Sequence, residues 1–415
     1  MNRLKLALLG AAAMAVPLVS LASPTVYIPL GSANEILIVD AATDQATGTI
    51  SGVSNPHGLS ITPNGTYLFA GSNTEKIVRR PKMADHAKMS GKPDQPKMQK
   101  PAGMSEALHK QHHPQQGSGG MMGEPSQVAG KSEAPDNVCA EEPVQSKMPK
   151  PAGMSEAQHK KHHAPKVGGL PPAVGIGCVS LIRVADHKLE RRIKVRGMAH
   201  HTLVTPDGRY AVSAQTTAGT INLIDLATKK IFRTIHTGPL PNYIAVTRDG
   251  KRMYVSNTGN NTVSMIDTKN WIVSRNIIVG KGPEHIVLSP DERFLYTGNA
   301  RDGTVSVVSL DQNKVVKTYA IGKKPHGIDI SPDGKTLFVS AKKDNKLVAI
   351  DIKTGKMRTL MLKPAPYHVK VIGDTGKIYV SSRKKPFIWV VDEKKLKVTG
   401  KIPVRGTAHQ MVVVN

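Results

Sequence analysis

The stretch His326-Gly327-Ile328-Asp329-Ile330-Ser331-Pro332-Asp333-Gly334, followed by Thr336-Leu337-Phe338-Val339-Ser340, decides the fold. Two apolar runs flank Ser-Pro-Asp-Gly, where Pro presets φ and Gly supplies a positive φ, so the pair reads as a β-hairpin. The phrase recurs along the chain. After the second run come a polar loop and a third run ending in Asp, such as Asn261-Thr262-Val263-Ser264-Met265-Ile266-Asp267. A fourth run, such as Ile272 to Val279, leads to Gly280-Lys281-Gly282-Pro283. Four short antiparallel strands per unit make a propeller blade.

The spacing gives the ring. Counting six residues back from the Pro of each turn, or from Arg248 and Asp374 in its place, gives His57, His200, Asn242, Glu284, His326 and His368, with His409 as the last anchor. From position 200 onward the anchors fall 42, 42, 42, 42 and 41 residues apart. Seven anchors predict an all-β, seven-bladed propeller. The C-terminal Gln410 to Val414 supplies only a first strand, while Thr25 to Pro29, Ile36 to Asp40 and Gln45 to Ile50 supply the missing second, third and fourth. Pairing the two termini in one blade closes the ring and leaves no open edge. The gap between positions 57 and 200 is one blade carrying an insert. The propeller is therefore expected over 23–75 and 171–415, with a low-complexity insert over 76–170.

At Arg252-Met253-Tyr254-Val255-Ser256-Asn257 and Asn261 to Asp267 the chain resembles the YVTN-type β-propeller repeat family. The resemblance spans nearly all of 25–75 and 170–415 and implies the fold. It says little about function, because this architecture hosts lactonases, electron-transfer enzymes, metalloenzymes and binding scaffolds.

Arg3 and Lys5, then the apolar run Leu6 to Leu21 and the small residues Ser20 and Ala22, read as a signal peptide over 1–22. The run is too short, and too interrupted by Pro17, to predict a membrane span. The expected compartment is the periplasm or the exterior, and the expected state is a monomer. A formal charge of +26 would suit nucleic acid. Export and the lack of a compact basic and aromatic motif argue against that partner, and leave a solvated basic surface that favours anions. Cys139 and Cys178 lie outside any Cys-x-x-Cys-His motif, which excludes covalent c-type haem, and a disulfide between them fits an oxidising compartment.

Seven of the sixteen histidines fall on two adjacent columns at the start of the blades' first strands. The anchor column holds His57, His200, His326, His368 and His409, and the next holds His201 and His285. In a propeller these positions line one mouth of the central channel, where converging imidazoles can hold copper, zinc or nickel. Strand alternation predicts that the two columns do not face the channel equally. The plain alternative is that Pro-His-Gly is a common wording of the repeat, its histidine bonding only a neighbouring loop. The hub resembles that of nitrous oxide reductase and related copper propellers, whose central histidines hold a multicopper cluster. This sequence lacks the cysteine-bearing copper domain of that enzyme.

The insert is rich in Pro, Lys, Gly, Met and His, a composition that cannot bury a core. It repeats itself, Lys97 to His113 returning as Lys147 to His163. Ser105 and Ser155 can cap helical turns that place His109, His112 and His113, and likewise His159, His162 and His163, on one face. With Met104, Met154 and six further methionines, the donor set suits copper, and zinc or nickel would need only the imidazoles. The reading from residues is a periplasmic metal-binding propeller, copper first, for storage, delivery or a redox centre, with metal ions and a periplasmic redox or metallochaperone partner. The alternatives are a lactonase-like hydrolase using Glu284 and hub histidines as acid and base, or a haem-related or protein-binding scaffold.

Overall fold

The computed structural model describes residues 23–76 and 175–414. Seven four-stranded antiparallel sheets form the blades of a propeller. Their inner strands are Pro56–Ile61, Ala199–Val204, Pro241–Val246, Pro283–Leu288, Pro325–Ile330, Pro366–Ile372 and Val412–Val414, which define blades one to seven. Blade seven closes the ring as expected. Val412, Val413 and Val414 pair with Tyr27, Val26 and Thr25, so strands from the two ends of the chain share one sheet.

The turns work as the sequence implies. In blade five the Ser331 hydroxyl donates to Asp333 at 2.7 Å and accepts the Thr336 N–H at 2.9 Å, while Gly334 takes φ 71°. Thr205 with Asp207, Thr247 with Asp249 and Ser289 with Asp291 repeat the device. Beyond the turn, Leu337, Phe338 and Val339 are wholly buried, because each blade is covered by a neighbour on both faces. Valine, isoleucine and leucine fill these seams, each buried side chain stabilising the fold by about 1.5–3 kcal/mol. That explains how a chain with 4% aromatics builds a core.

One irregularity positions the hub. In blade five Pro325 pairs with Ala341 and Ile328 with Val339, so His326 and Gly327 together stand opposite Ser340. Blades one, three, four and six carry the same β-bulge, and in blade two the extra residue is His200. A bulge sets two residues against one and re-aims their side chains. This corrects the expectation from strand alternation, since both histidine columns turn toward the axis. The amides it leaves unpaired are caught by serines of the second strands. Tyr243, Gly327 and His368 donate their N–H to Ser256, Ser340 and Ser381 at 3.0, 2.9 and 3.0 Å. That is the physical reason for the serine in Tyr-Val-Ser.

Blade six also corrects the anchor column. Its turn, Gly373–Thr375, has no proline, and its inner strand begins with Pro366 and Tyr367. Tyr367 holds the place of His326, and His368 belongs to the second column with His201 and His285.

Lys76 and Ile176 exchange backbone hydrogen bonds of 2.9 Å, and the Asn73 N–H donates to the Asn55 carbonyl at 3.0 Å. The chain therefore leaves and re-enters blade one at the face where the inner strands begin. The signal-peptide reading and nearly all of the insert fall outside the described residues. Cys178 is buried and disulfide-bonded, and Cys139, the one other cysteine of the chain, lies outside them. No helix among the described residues is long and apolar enough to cross a membrane.

Candidate metal centre

The bulges gather every predicted hub histidine into one connected layer. His57 lies 4.0 Å from His200 and 4.2 Å from His409, ring centre to ring centre. His285 lies 4.5 Å from His326 and 4.8 Å from His368, and His326 lies 4.9 Å from His368. His368 is in turn 5.5 Å from His57 and 5.6 Å from His409. Two triads result, His57-His368-His409 and His285-His326-His368, in each of which one ring nitrogen per residue lies within 4.8 Å of the others. All five side chains are buried, and His368 is 2% exposed.

Glycine makes this approach possible at two places. A Cβ on Gly58 would stand 2.5 Å from the His201 Cα, and one on Gly327 would stand 2.4 Å from the Tyr367 carbonyl oxygen. Each glycine lets the neighbouring blade carry its second-column histidine to the axis. Pro-His-Gly is therefore a packing device as well as a source of imidazole.

Hydrogen bonds set the tautomers. His57 Nδ1 faces the His200 carbonyl at 3.2 Å, and His200 Nδ1 faces the Asn242 carbonyl at 3.2 Å. A carbonyl only accepts, so both Nδ1 atoms donate and both Nε2 atoms carry the lone pair. His326 Nδ1 is held by the Glu284 carboxylate, and its Nε2 is buried without a partner. Metal-binding histidines show this same pattern, the outer nitrogen fixed by a carbonyl or carboxylate and the inner one free. His201 is different. Its Nδ1 accepts the Ile244 N–H at 3.3 Å, which leaves the proton on Nε2 and gives this ring a packing role.

His285 Nε2, His409 Nδ1 and both nitrogens of His368 are also buried and unpartnered. An unsatisfied buried polar atom costs about 1–3 kcal/mol. Several of them within one layer is a large charge against the fold unless a ligand satisfies them. Burial, then repulsion among the rings, holds His57, His201, His285 and His368 well below the ordinary imidazole range. Burial does the same for His326, with the Lys342 ammonium adding to it, and lowers His409 to about 3, with Arg383 adding to that. Neutral imidazole is the form that ligates.

Two cavities flank the layer. One, of about 640 Å³, runs along the channel between walls such as Leu203, Val246, Val287 and Val413, and ends on His201, Tyr243, His285 and His368. The other, of about 900 Å³, opens at the opposite mouth between blades four and five. Glu284 faces it together with Arg301, Lys323, Lys324, Lys342 and Lys343. Burial raises the Glu284 carboxyl against the pull of Lys342 and lowers the Lys342 ammonium. Tyr367 stacks on His326 at 4.0 Å and 6°, with the Lys342 Nζ 5.0 Å from its ring.

Sequence reasoning brought forward His57, His200, His201, His285, His326, His368 and His409, and the structure joins all seven. It divides them, with five in the triads and His200 and His201 beside them. The insert ligands His109, His112, His113, His159, His162, His163, Met104 and Met154 lie outside the described residues. Tyr243 and Tyr367 were missed as members of the layer, although they occupy the same two columns. The Glu284–His326 bond could have been found from two anchors in adjacent blades.

Comparison with known proteins adds a family likeness. The model of the lactonase, 7-bladed beta-propeller family matches residues 192–372, from the outer strand of blade one to the inner strand of blade six. No curated protein sequence matches this chain. Among solved structures, the periplasmic gluconolactonase PpgL of Pseudomonas aeruginosa is 15% identical, with 94% of this chain and 99% of that one covered at a TM-score of 0.59. A Bacteroides uniformis protein described as a candidate 6-phosphogluconolactonase is 13% identical, covering 95% and 100% at 0.60. Hydrazine synthase of Kuenenia stuttgartiensis is 18% identical, covering 59% and 93% at 0.52. Identities this low speak for the fold alone. None of the three is described as a YVTN-type or copper propeller.

Proposed function

We propose that this is a metal-binding propeller whose hub takes a transition metal on imidazole nitrogen, copper first, with zinc and nickel as the other candidates. The observation that carries the reading is the pair of buried triads meeting at His368, with His57 and His326 oriented from behind by a carbonyl and a carboxylate. Such a donor set suits divalent late first-row ions. A periplasmic or secreted location, a monomeric state and a redox or metallochaperone partner belong to the same proposal, as does metal capture by the insert. The test compares the full chain with a variant carrying Gln at His57, His285, His326, His368 and His409. After loading with copper and exhaustive dialysis, elemental analysis should find less metal in the variant. Equal metal in both would sink the reading.

A second reading is hydrolysis of small lactones, and the comparisons support it more than they support a metal. The family match and the gluconolactonase likeness point that way. So does a specific feature, the Glu284 carboxylate that lines a cationic cavity and is bonded to His326. There the pair would take a proton from water as its oxygen attacks the ester carbonyl, and return it to the alkoxide as the ring C–O bond breaks. Screening small lactones with and without chelator separates the readings. Turnover that survives chelation and disappears in Glu284→Gln favours hydrolysis without metal, and no turnover of any lactone removes that reading.

A further inference from the structure

The hub holds two overlapping sets of ligands, and their overlap is a single residue. His57 and His409 lie 4.2 Å apart on one side of His368, and His285 and His326 lie 4.5 Å apart on another. His368 touches all four rings, and each triad is completed only by it. Its ring also stands alone among the five in a second respect. The others that have a buried unpartnered nitrogen have one each, whereas both Nδ1 and Nε2 of His368 are buried and unpartnered.

We infer that the hub is built for two metal ions bridged by the imidazole ring of His368, an arrangement that rests on the metal reading above and fixes its nuclearity. One ion sits against His57 and His409, the other against His285 and His326, and each takes one nitrogen of His368. The ring of a neutral histidine offers one lone pair and one N–H. Binding of the second ion therefore releases that proton to solvent and leaves an imidazolate, whose negative charge offsets part of the charge of the two ions in a layer with Glu284 as its neighbouring carboxylate. The backbone holds this ring from behind, as the His368 N–H donates to Ser381 at 3.0 Å and Gly327 leaves room for the strand beside it. His200 and His201 lie outside both triads. His200 packs against His57 and His201 against Tyr243, and neither is needed for the count.

Copper(II) is the probe, because two copper(II) ions bridged by an imidazolate couple antiferromagnetically and, at liquid-helium temperature where the singlet alone is populated, lose their paramagnetic signal. The full chain and four single variants, His368→Gln, His57→Gln, His285→Gln and His200→Gln, are loaded with copper(II), dialysed, and measured for copper by elemental analysis and for unpaired spins by quantitative electron paramagnetic resonance. The natural chain should show about two more coppers than spins, and His200→Gln should match it. His368→Gln should show as many spins as coppers. His57→Gln and His285→Gln should each lose one copper and regain a full spin count, which keeps the inference testable even if the His368 variant folds poorly. Spins equal to copper in the natural chain, with one copper lost in every triad variant, would overturn the two-ion bridge and leave a mononuclear hub. Copper content unchanged in all of the triad variants would overturn the metal reading beneath it.

Discussion

His409 offers a clean measure of what burying neutral imidazole costs. Its pKa is lowered to about 3 by burial first and Arg383 second, against an ordinary 6.5. In the unfolded chain the ring takes a proton as pH drops through 6.5, while in the folded chain it stays neutral down to about 3. A depressed folded value means that stability is complete above 6.5 and is lost as pH falls through this window. At pH 5.0, 1.5 units below the unfolded value, the loss from this one ring is about 2 kcal/mol, taking about 1.36 kcal/mol per unit. His57, His201, His285, His326 and His368 shift in the same direction, so they add to it. The perturbation is His409→Gln, and the assay is urea unfolding of chelator-treated protein at pH 7.5 and 5.0. The natural chain should lose several kcal/mol between these pH values, and the variant about 2 kcal/mol less. Equal losses in the two proteins, or a natural chain equally stable at both pH values, would refute the reasoning.

Three further outcomes follow from particular contacts. Gly327→Ala places a Cβ 2.4 Å from the Tyr367 carbonyl, where backbone meets backbone. Thermal melts should show a loss of about 1–3 kcal/mol, as for an overpacked core. Glu284→Gln removes the carboxylate that fixes His326, and copper affinity by competitive chelator titration should fall about 10- to 100-fold. Ending the chain after Met411 removes the strand that pairs with Thr25, Val26 and Tyr27. That exposes an edge, and light scattering should report concentration-dependent association absent from the full chain.

The fold was legible because its signals are local and repeated. Pro332-Asp333-Gly334 and its counterparts fix hairpins through φ and hydroxyl bonds, and the even spacing turns hairpins into a ring. Closure was legible because the last strand, Val412–Val414, has no partners in its own neighbourhood. Blade six slipped by one residue because its inner strand, Pro366–Ile372, has 7 residues where those of blades one to five have 6, and so Tyr367 was overlooked. The bulge was harder to see. It is a matter of register against the second strand, and a strand read alone implies strict alternation. Its traces were present, in Gly58 and Gly327 and in the serine that follows Tyr-Val. The choice of His57, His285, His326, His368 and His409 over His200 needed the distances between ring nitrogens, and over His201 the direction of its hydrogen bond, neither of which spacing carries.

The central claim is that imidazoles from separate blades hold metal at the axis. Diffraction from crystals of the full chain grown with copper, recorded just above and just below the copper absorption edge, tests it most directly. The account predicts anomalous density inside the layer, about 2.0–2.1 Å from ring nitrogens of one or both triads. Well-ordered histidines with no such density between them would contradict it.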